Sequence, residues 1–263
     1  MKIAILTLLA PSLGLLALSF FLPYPRASFP AYLPPGPGHP LGTDDAGYDV
    51  LSLLAHGART TLGVGFLAGS LATFLGAGIG GSAGLWSRLE APLMRLTDLF
   101  FAFPRLPLLI LMSLYLRPDP LNAVLVLALF GWPDTARTLR PLVAGLRQAG
   151  YVRVARSLGA GGVYLLTQHV LPQAWPLVAT QWILEVRFAL IAGAGLAFLG
   201  LTDPTQPDWG VMLFQAFNRT ETFLGPYWIW TVLPPALALA SLVLGLSLAV
   251  LGRPRQLDPR LGG

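Results

Sequence analysis

The chain has 263 residues, 54% of them hydrophobic and 11% charged, whereas a soluble domain carries about a quarter charged residues, so too few are present to clothe a globule and the class is an all-α polytopic membrane protein. The absence of Cys excludes disulfides, thiolate metal sites and a Cys nucleophile, and His39, His56 and His169 are too scattered to form a ligand cluster. A net charge of +5 does not signal nucleic acid here, because Lys2 is the only lysine and the arginines flank apolar runs, where lipid headgroups are the natural counter-charge.

A helix crossing the hydrocarbon needs about 20 apolar residues. In chain order the sequence offers such segments near 3–22, 61–86, 99–116, 121–136, 177–201 and 228–251, which predicts six transmembrane helices. The first follows Lys2 but has no clear small-x-small cleavage site after it, so it is expected to stay as an anchor rather than leave as a signal peptide. An outer segment, Pro23 to Thr60, begins Pro-rich and predicts an extended linker before a helical stretch from Tyr48 to Ala58. The third apolar segment contains Pro104, Arg105 and Pro107, and the fourth is short. A long inner segment, Arg137 to Pro176, precedes the fifth, and a second outer segment, Thr202 to Tyr227, precedes the sixth.

Basic residues near span ends are retained in the cytoplasm. With the N-terminus inside, eleven basic residues fall inside and four outside, leaving Arg105 and Arg187 within the membrane; both termini are therefore expected to be cytoplasmic. The expected organisation is an anchor helix and outer linker at 1–60, a transmembrane core at 61–251 and a cytoplasmic tail at 252–263. Trp86, Trp132, Trp175, Trp228 and Trp230 lie near expected span ends, where indoles anchor at headgroups.

The inner segment carries the strongest pattern. From Leu146 to Ala160, Tyr151, Val154, Ala155 and Leu158 recur at i, i+3, i+4 and i+7, with Arg147, Arg153 and Arg156 off that face. Gly159 sits where a helix ends with positive φ. A short second helix should follow, with Val163, Leu166 and Val170 on one side, until Leu171-Pro172 stops it. The product is a helix, glycine turn, helix hairpin. On periodicity alone, an amphipathic linker lying on anionic lipid fits equally well.

Gly159, nine residues, then His169-Val170-Leu171-Pro172 resembles the coupling loop of ABC importer permeases, and more narrowly that of the second permease of dipeptide, oligopeptide and nickel importers. The resemblance runs from about residue 39 onward. It includes His39-Pro40-Leu41-Gly42-Thr43-Asp44 with Asp49-Val50-Leu51-Ser52, Met94-Arg95 with Asp98, Phe103-Pro104, and Gly131-Trp132-Pro133 with Ala136-Arg137. Phe198-Leu199-Gly200-Leu201, Pro207-Asp208-Trp209-Gly210 and Leu257-Asp258-Pro259-Arg260 complete the order.

This resemblance implies a type I ABC importer permease fold in the inner membrane. It implies a homologous partner permease, two ATPase subunits that bind ATP and magnesium, and an extracytoplasmic solute-binding protein. The cargo it implies is di- or oligopeptides, with nickel second. This chain itself has no phosphate-binding Gly-x-x-x-x-Gly-Lys loop, so no cofactor is expected on it. The coupling loop would be 146–172, acting through Tyr151, Arg153, Ala155, Gly159, His169, Leu171 and Pro172. Gln181, Glu185 and Arg187 are candidates for the translocation path or the partner interface, and Asp44, Asp49, Asp208 and Trp209 for binding-protein contacts. Several positions depart from the family pattern, among them Glu185 and Arg187, which stand where the family is usually apolar. Arg153-Val154-Ala155 stands where Glu-Ala-Ala is usual, Gly193 where a Glu is usual in the fifth span, and Tyr48 where Arg is common.

Two other classes compete. A channel would line several spans with polar residues, but only the fifth shows a clear cluster. Gly80-Gly81-Ser82-Ala83-Gly84 matches the G-x-S-x-G elbow of serine hydrolases, yet Gly76, Gly80 and Gly84 equally form a small-xxx-small ridge for helix packing.

Overall fold

The apolar runs become helices because a lipid-facing chain must satisfy its backbone N–H and C=O groups internally. The computed structural model describes residues 2–251; the expected tail at 252–263, with Leu257-Asp258-Pro259-Arg260, lies outside the described residues. The described residues form helices and loops with no strand among them. They fall into two compact units, Met1–Arg59 with Pro207–Gly263 and Thr60–Gln206.

The first unit opens with α1, Lys2–Leu18. The 23–49 stretch is tied rather than simply extended. Thr43 Oγ1 accepts from Leu33 N and donates to Pro30 O, both at 2.8 Å, and Ala27 bridges Tyr48. Gly47, at φ +82°, brings the chain so close to itself that a Cβ there would lie 2.0 Å from Phe29 O. Asp49 then caps α2, Val50–Leu85, by accepting from Ser52 N at 2.9 Å.

The second unit holds the rest of α2, then α3, Ser87–Phe101, and α4, Arg105–Tyr115. It continues with α5, Pro120–Arg147, α6, Gly150–Ser157, and α7, Gly162–Leu165. A π-helical turn at Leu166–Val170 leads into α8, Leu171–Phe198. Back in the first unit come α9, Trp209–Phe217, α10, Glu221–Leu224, α11, Trp228–Thr231, and α12, Leu233–Leu251. There α1 packs on α12, where a Cβ on Gly245 would come 2.7 Å from Leu9 Cδ2.

Several expected boundaries move. The stretch from Tyr48 and the second span are one 36-residue helix, about 54 Å long, because nothing between Arg59 and Thr61 breaks the ladder. The third segment is two helices bent by 82° at the break before Arg105. Pro104 disfavours helix at Phe103 and has no N–H to give. The fourth does not end at Ala136 but runs on to Arg147, as Arg137 pairs with Asp98 and Arg140 with Glu90 on α3. Pro172 does not stop a helix; it occupies the first turn of α8, where a missing N–H costs nothing.

Among the described residues, three helices are long and apolar enough to cross a membrane, Val50–Leu85, Pro172–Phe198 and Trp228–Leu251, and there are four if the bent α3–α4 pair is a single broken span rather than a re-entrant loop. The 17-residue α1 is shorter, and α5 carries Asp134, Arg137 and Arg140. Two indoles expected at headgroups are interior instead. Trp132 packs edge-on against Phe100, and Trp230 donates to Thr43 O at 3.1 Å.

The glycine ridge is a packing device. A Cβ on Gly76 would sit 2.4 Å from Trp132 O, on Gly80 2.5 Å from Ala136 O, and on Gly84 2.7 Å from Arg140 O, so α2 and α5 touch backbone to backbone. On another side of α2, Gly69 lies against the Val186 backbone of α8, where a Cβ would come 2.5 Å from its N. Ser82 therefore lies inside a continuous helix, not on the strand-to-helix elbow that a nucleophilic serine of that motif needs.

Candidate functional site

Glu185 lies midway along α8, a helix apolar enough to span a bilayer, and its side chain is buried at 3% exposure. A carboxylate there needs a partner. The sequence suggests Arg187 as its neighbour, but residues two apart on a helix point to different faces. The structure supplies Arg105, the first residue of α4, whose Nη2 donates to Glu185 Oε2 at 3.3 Å. Nη1 of the same guanidinium donates to Asp134 Oδ2 on α5 at 2.6 Å. Beneath it lies the Phe188 ring, with Cζ 3.3 Å from the centroid.

Gly131, one turn before Asp134, makes room for this cluster. A Cβ on it would come 2.9 Å from Glu185 Oε2 and 3.3 Å from Arg105 Nη2. Gln181, one turn before Glu185 on α8, is also buried, at 8% exposure. Sequence reasoning named Gln181 and Glu185 but missed Asp134 and Gly131, and counted Arg105 only as a charge inside the membrane. The signal was available: a buried Glu demands a cation, and Arg105 and Asp134 are charges set within other apolar runs.

The inner hairpin forms the second candidate. α6 ends at Ser157, the chain turns at Gly159, whose φ is +89°, and α7 follows. Val152 and Leu165 are fully buried and anchor it, and a Cβ on Gly162 would meet the Trp86 indole at 2.8 Å. The apolar stripe read from the sequence points the other way. Val154 is 59% exposed and Leu158 84%, with Tyr151, Val163 and Tyr164 exposed beside them. Arg153 is exposed and, with Arg88 and Arg147, lines an open groove of ≈ 1330 Å³. Ala155 is half-buried on α6 and Pro172 exposed at the start of α8; the side chains of His169 and Leu171 lie outside the described residues.

In the first unit the four acidic and aromatic candidates have local roles. Asp44 Oδ1 accepts from Ala46 N at 3.0 Å and Tyr48 N at 2.8 Å. Burial, helped by the Asp45 charge and opposed by those hydrogen bonds, lifts its pKa from 3.8 to about 6. Asp49 caps α2, and Asp208 caps α9 by accepting from Gly210 N at 2.7 Å. Trp209 is fully buried, with its indole donating to Leu54 O at 2.8 Å, so it offers no surface to another protein.

The fold and these sites define a multi-pass helical membrane protein with polar groups held at mid-span and an apolar hairpin presented outward. Residues 65–263 match the family described as binding-protein-dependent transport system inner membrane component. The chain belongs to that family, and is thus an inner-membrane ABC importer permease. It is 34% identical over 231 residues to a putative peptide transport system permease protein of Brucella suis, a match covering 88% of this chain and 76% of that one. A Brucella abortus protein of the same description matches equally. The glutathione transport system permease protein GsiD of Escherichia coli is 33% identical over 234 residues, covering 86% of this chain and 73% of that one.

Proposed function

We propose that this chain is one of two permease subunits of an ATP-driven importer of short peptides. Its relatives are named for peptide and glutathione transport, and glutathione is itself a tripeptide, which favours peptides over nickel as cargo. An external binding protein delivers the cargo, and a homologous permease completes the path. Two ATPase subunits, which carry the ATP and magnesium, take the hairpin into a surface groove. Both termini lie in the cytoplasm, following the excess of basic residues on the hairpin side.

The observation that carries the coupling role is the hairpin's outward apolar stripe. A hairpin fixed at its base by Val152 and Leu165, yet presenting Val154 and Leu158 to solvent, leaves apolar surface that a partner protein would cover. ATP-driven movement of that partner then shifts α5 and α8, which flank the hairpin in sequence. Arg153 replaces the family's usual carboxylate and meets an acidic or neutral patch on its own ATPase.

The test is co-expression with candidate ATPases and binding protein in vesicles. Uptake should require ATP and the binding protein, and Leu158→Glu should abolish ATPase co-purification, since Leu158 is 84% exposed and the change falls on the outward stripe. ATPase recovery unchanged by Leu158→Glu would refute the coupling surface. Solute flux without ATP would favour a channel.

A further inference from the structure

The cluster of Arg105, Asp134 and Glu185 sets one guanidinium against two carboxyl groups. Glu185 is sealed from solvent, while the Asp134 side chain is 41% exposed. Because Arg105 bonds both carboxylates, Asp134 lies at the depth of Glu185, midway along a spanning helix. An ionised carboxylate at that depth cannot be left facing hydrocarbon, where insertion of an Asp costs about 2.5–3.5 kcal/mol. It must face either an aqueous path or another protein. The arrangement favours the path. Arg105 donates one nitrogen to each carboxylate and its Nε is buried, so the guanidinium, at 26% exposure, is the inward holder and the Asp134 carboxylate, at 41%, the open member. Gln181, one turn before Glu185 on α8, adds a neutral amide that can both donate and accept.

We propose that Asp134, positioned by Arg105 and backed by Glu185, is a mid-membrane binding point for the ammonium group of the cargo, the free amino terminus of a peptide, with Gln181 meeting a neighbouring amide. The inference rests on the proposed peptide transport and adds a selection step inside the membrane. An arriving ammonium meets the open Asp134 carboxylate where solvation by water is poorest, the setting in which an ion gains most from a partner. Gly131 is part of the design, since any side chain there would press on Glu185 Oε2 and displace the holder.

The test uses the assembled complex in proteoliposomes, with a short peptide supplied either with a free amino terminus or N-acetylated. Wild-type uptake should favour the free amine at least tenfold. Asp134→Asn should cut uptake of the free-amine peptide at least tenfold and of the acetylated peptide less than threefold. Asp134→Glu should restore most of the preference. An equal loss for both peptides would overturn the proposal in favour of a purely structural tie, and an unchanged preference would place Asp134 off the path. If the wild type carries neither peptide, the peptide assignment fails by itself. The site is then judged by Asp134→Cys, the sole thiol in this Cys-free chain. Its reaction with a water-borne cationic thiosulfonate, slowed by millimolar alkylammonium, would support a cation point on an aqueous path, and no reaction would overturn it.

Discussion

Replacing Arg105 by Met removes the one cation that serves two carboxylates. Glu185, at 3% exposure, would be left as a buried charge without its partner. Breaking a buried pair in this way costs about 3–5 kcal/mol. The Arg105 side chain is about a quarter exposed, at 26%, which places the cost near the lower limit, about 3 kcal/mol. Loss of the stacking over Phe188 adds about 1 kcal/mol. Glu185→Gln is milder, because Arg105 keeps its 2.6 Å bond to Asp134 and the amide keeps the shape; about 1 kcal/mol is expected. In the double variant no unpaired charge remains at Glu185, so its cost should fall short of the sum of the singles by about 1–3 kcal/mol. Reversible unfolding of the purified chain in mixed micelles, read by intrinsic Trp fluorescence, measures all four corners of the cycle, the wild type and the three variants. Additivity within about 0.5 kcal/mol would show that the two side chains are not energetically coupled and would refute the reasoning.

The α2–α5 contact predicts that Gly80→Leu, whose Cβ would lie 2.5 Å from Ala136 O, costs about 1–3 kcal/mol. Gly78→Leu, with open space around it, should cost little, and equal midpoints in the same micelle assay would contradict the packing. Gly159→Leu has room for its side chain, so the penalty is that of the +89° backbone, about 1 kcal/mol or more. The assembled transporter should then hydrolyse ATP without proportionate uptake, and coupled uptake at the wild-type ratio would count against the lever. Asp44 has a raised pKa in the fold, so its contribution is greatest below about 4 and is lost as pH rises through about 6. Hydrogen exchange across the 30–48 loop, corrected for intrinsic rate, should therefore slow from pH 7 to pH 5, and Asp44→Asn should flatten that dependence. Reporter fusions at Gly36 and Asp208 should report outside and one at Gly161 inside; the reverse pattern would overturn the orientation.

Membrane residence and the hairpin's register were legible in the sequence because both are local. Hydrocarbon imposes a length of apolar residues on each span, and positions such as Tyr151, Val154 and Leu158 recur on one helix face whatever surrounds them. The glycine ridge from Gly76 to Gly84 was likewise visible as a pattern, since only small residues permit close approach. Helix ends were decided by tertiary contacts. The ion pairs from α5 to Asp98 and Glu90 carry that helix past Ala136, while Pro104 divides α3 from α4 where hydropathy runs on unbroken. The direction of the apolar stripe also needed the fold, because periodicity defines a face but not what the face meets. Above all, the partner of Glu185 lies 80 residues away in the chain, on a different helix. Sequence shows that a buried charge must be neutralised; only the packing of α4, α5 and α8 decides that Arg105 does it and that Asp134 is left partly open.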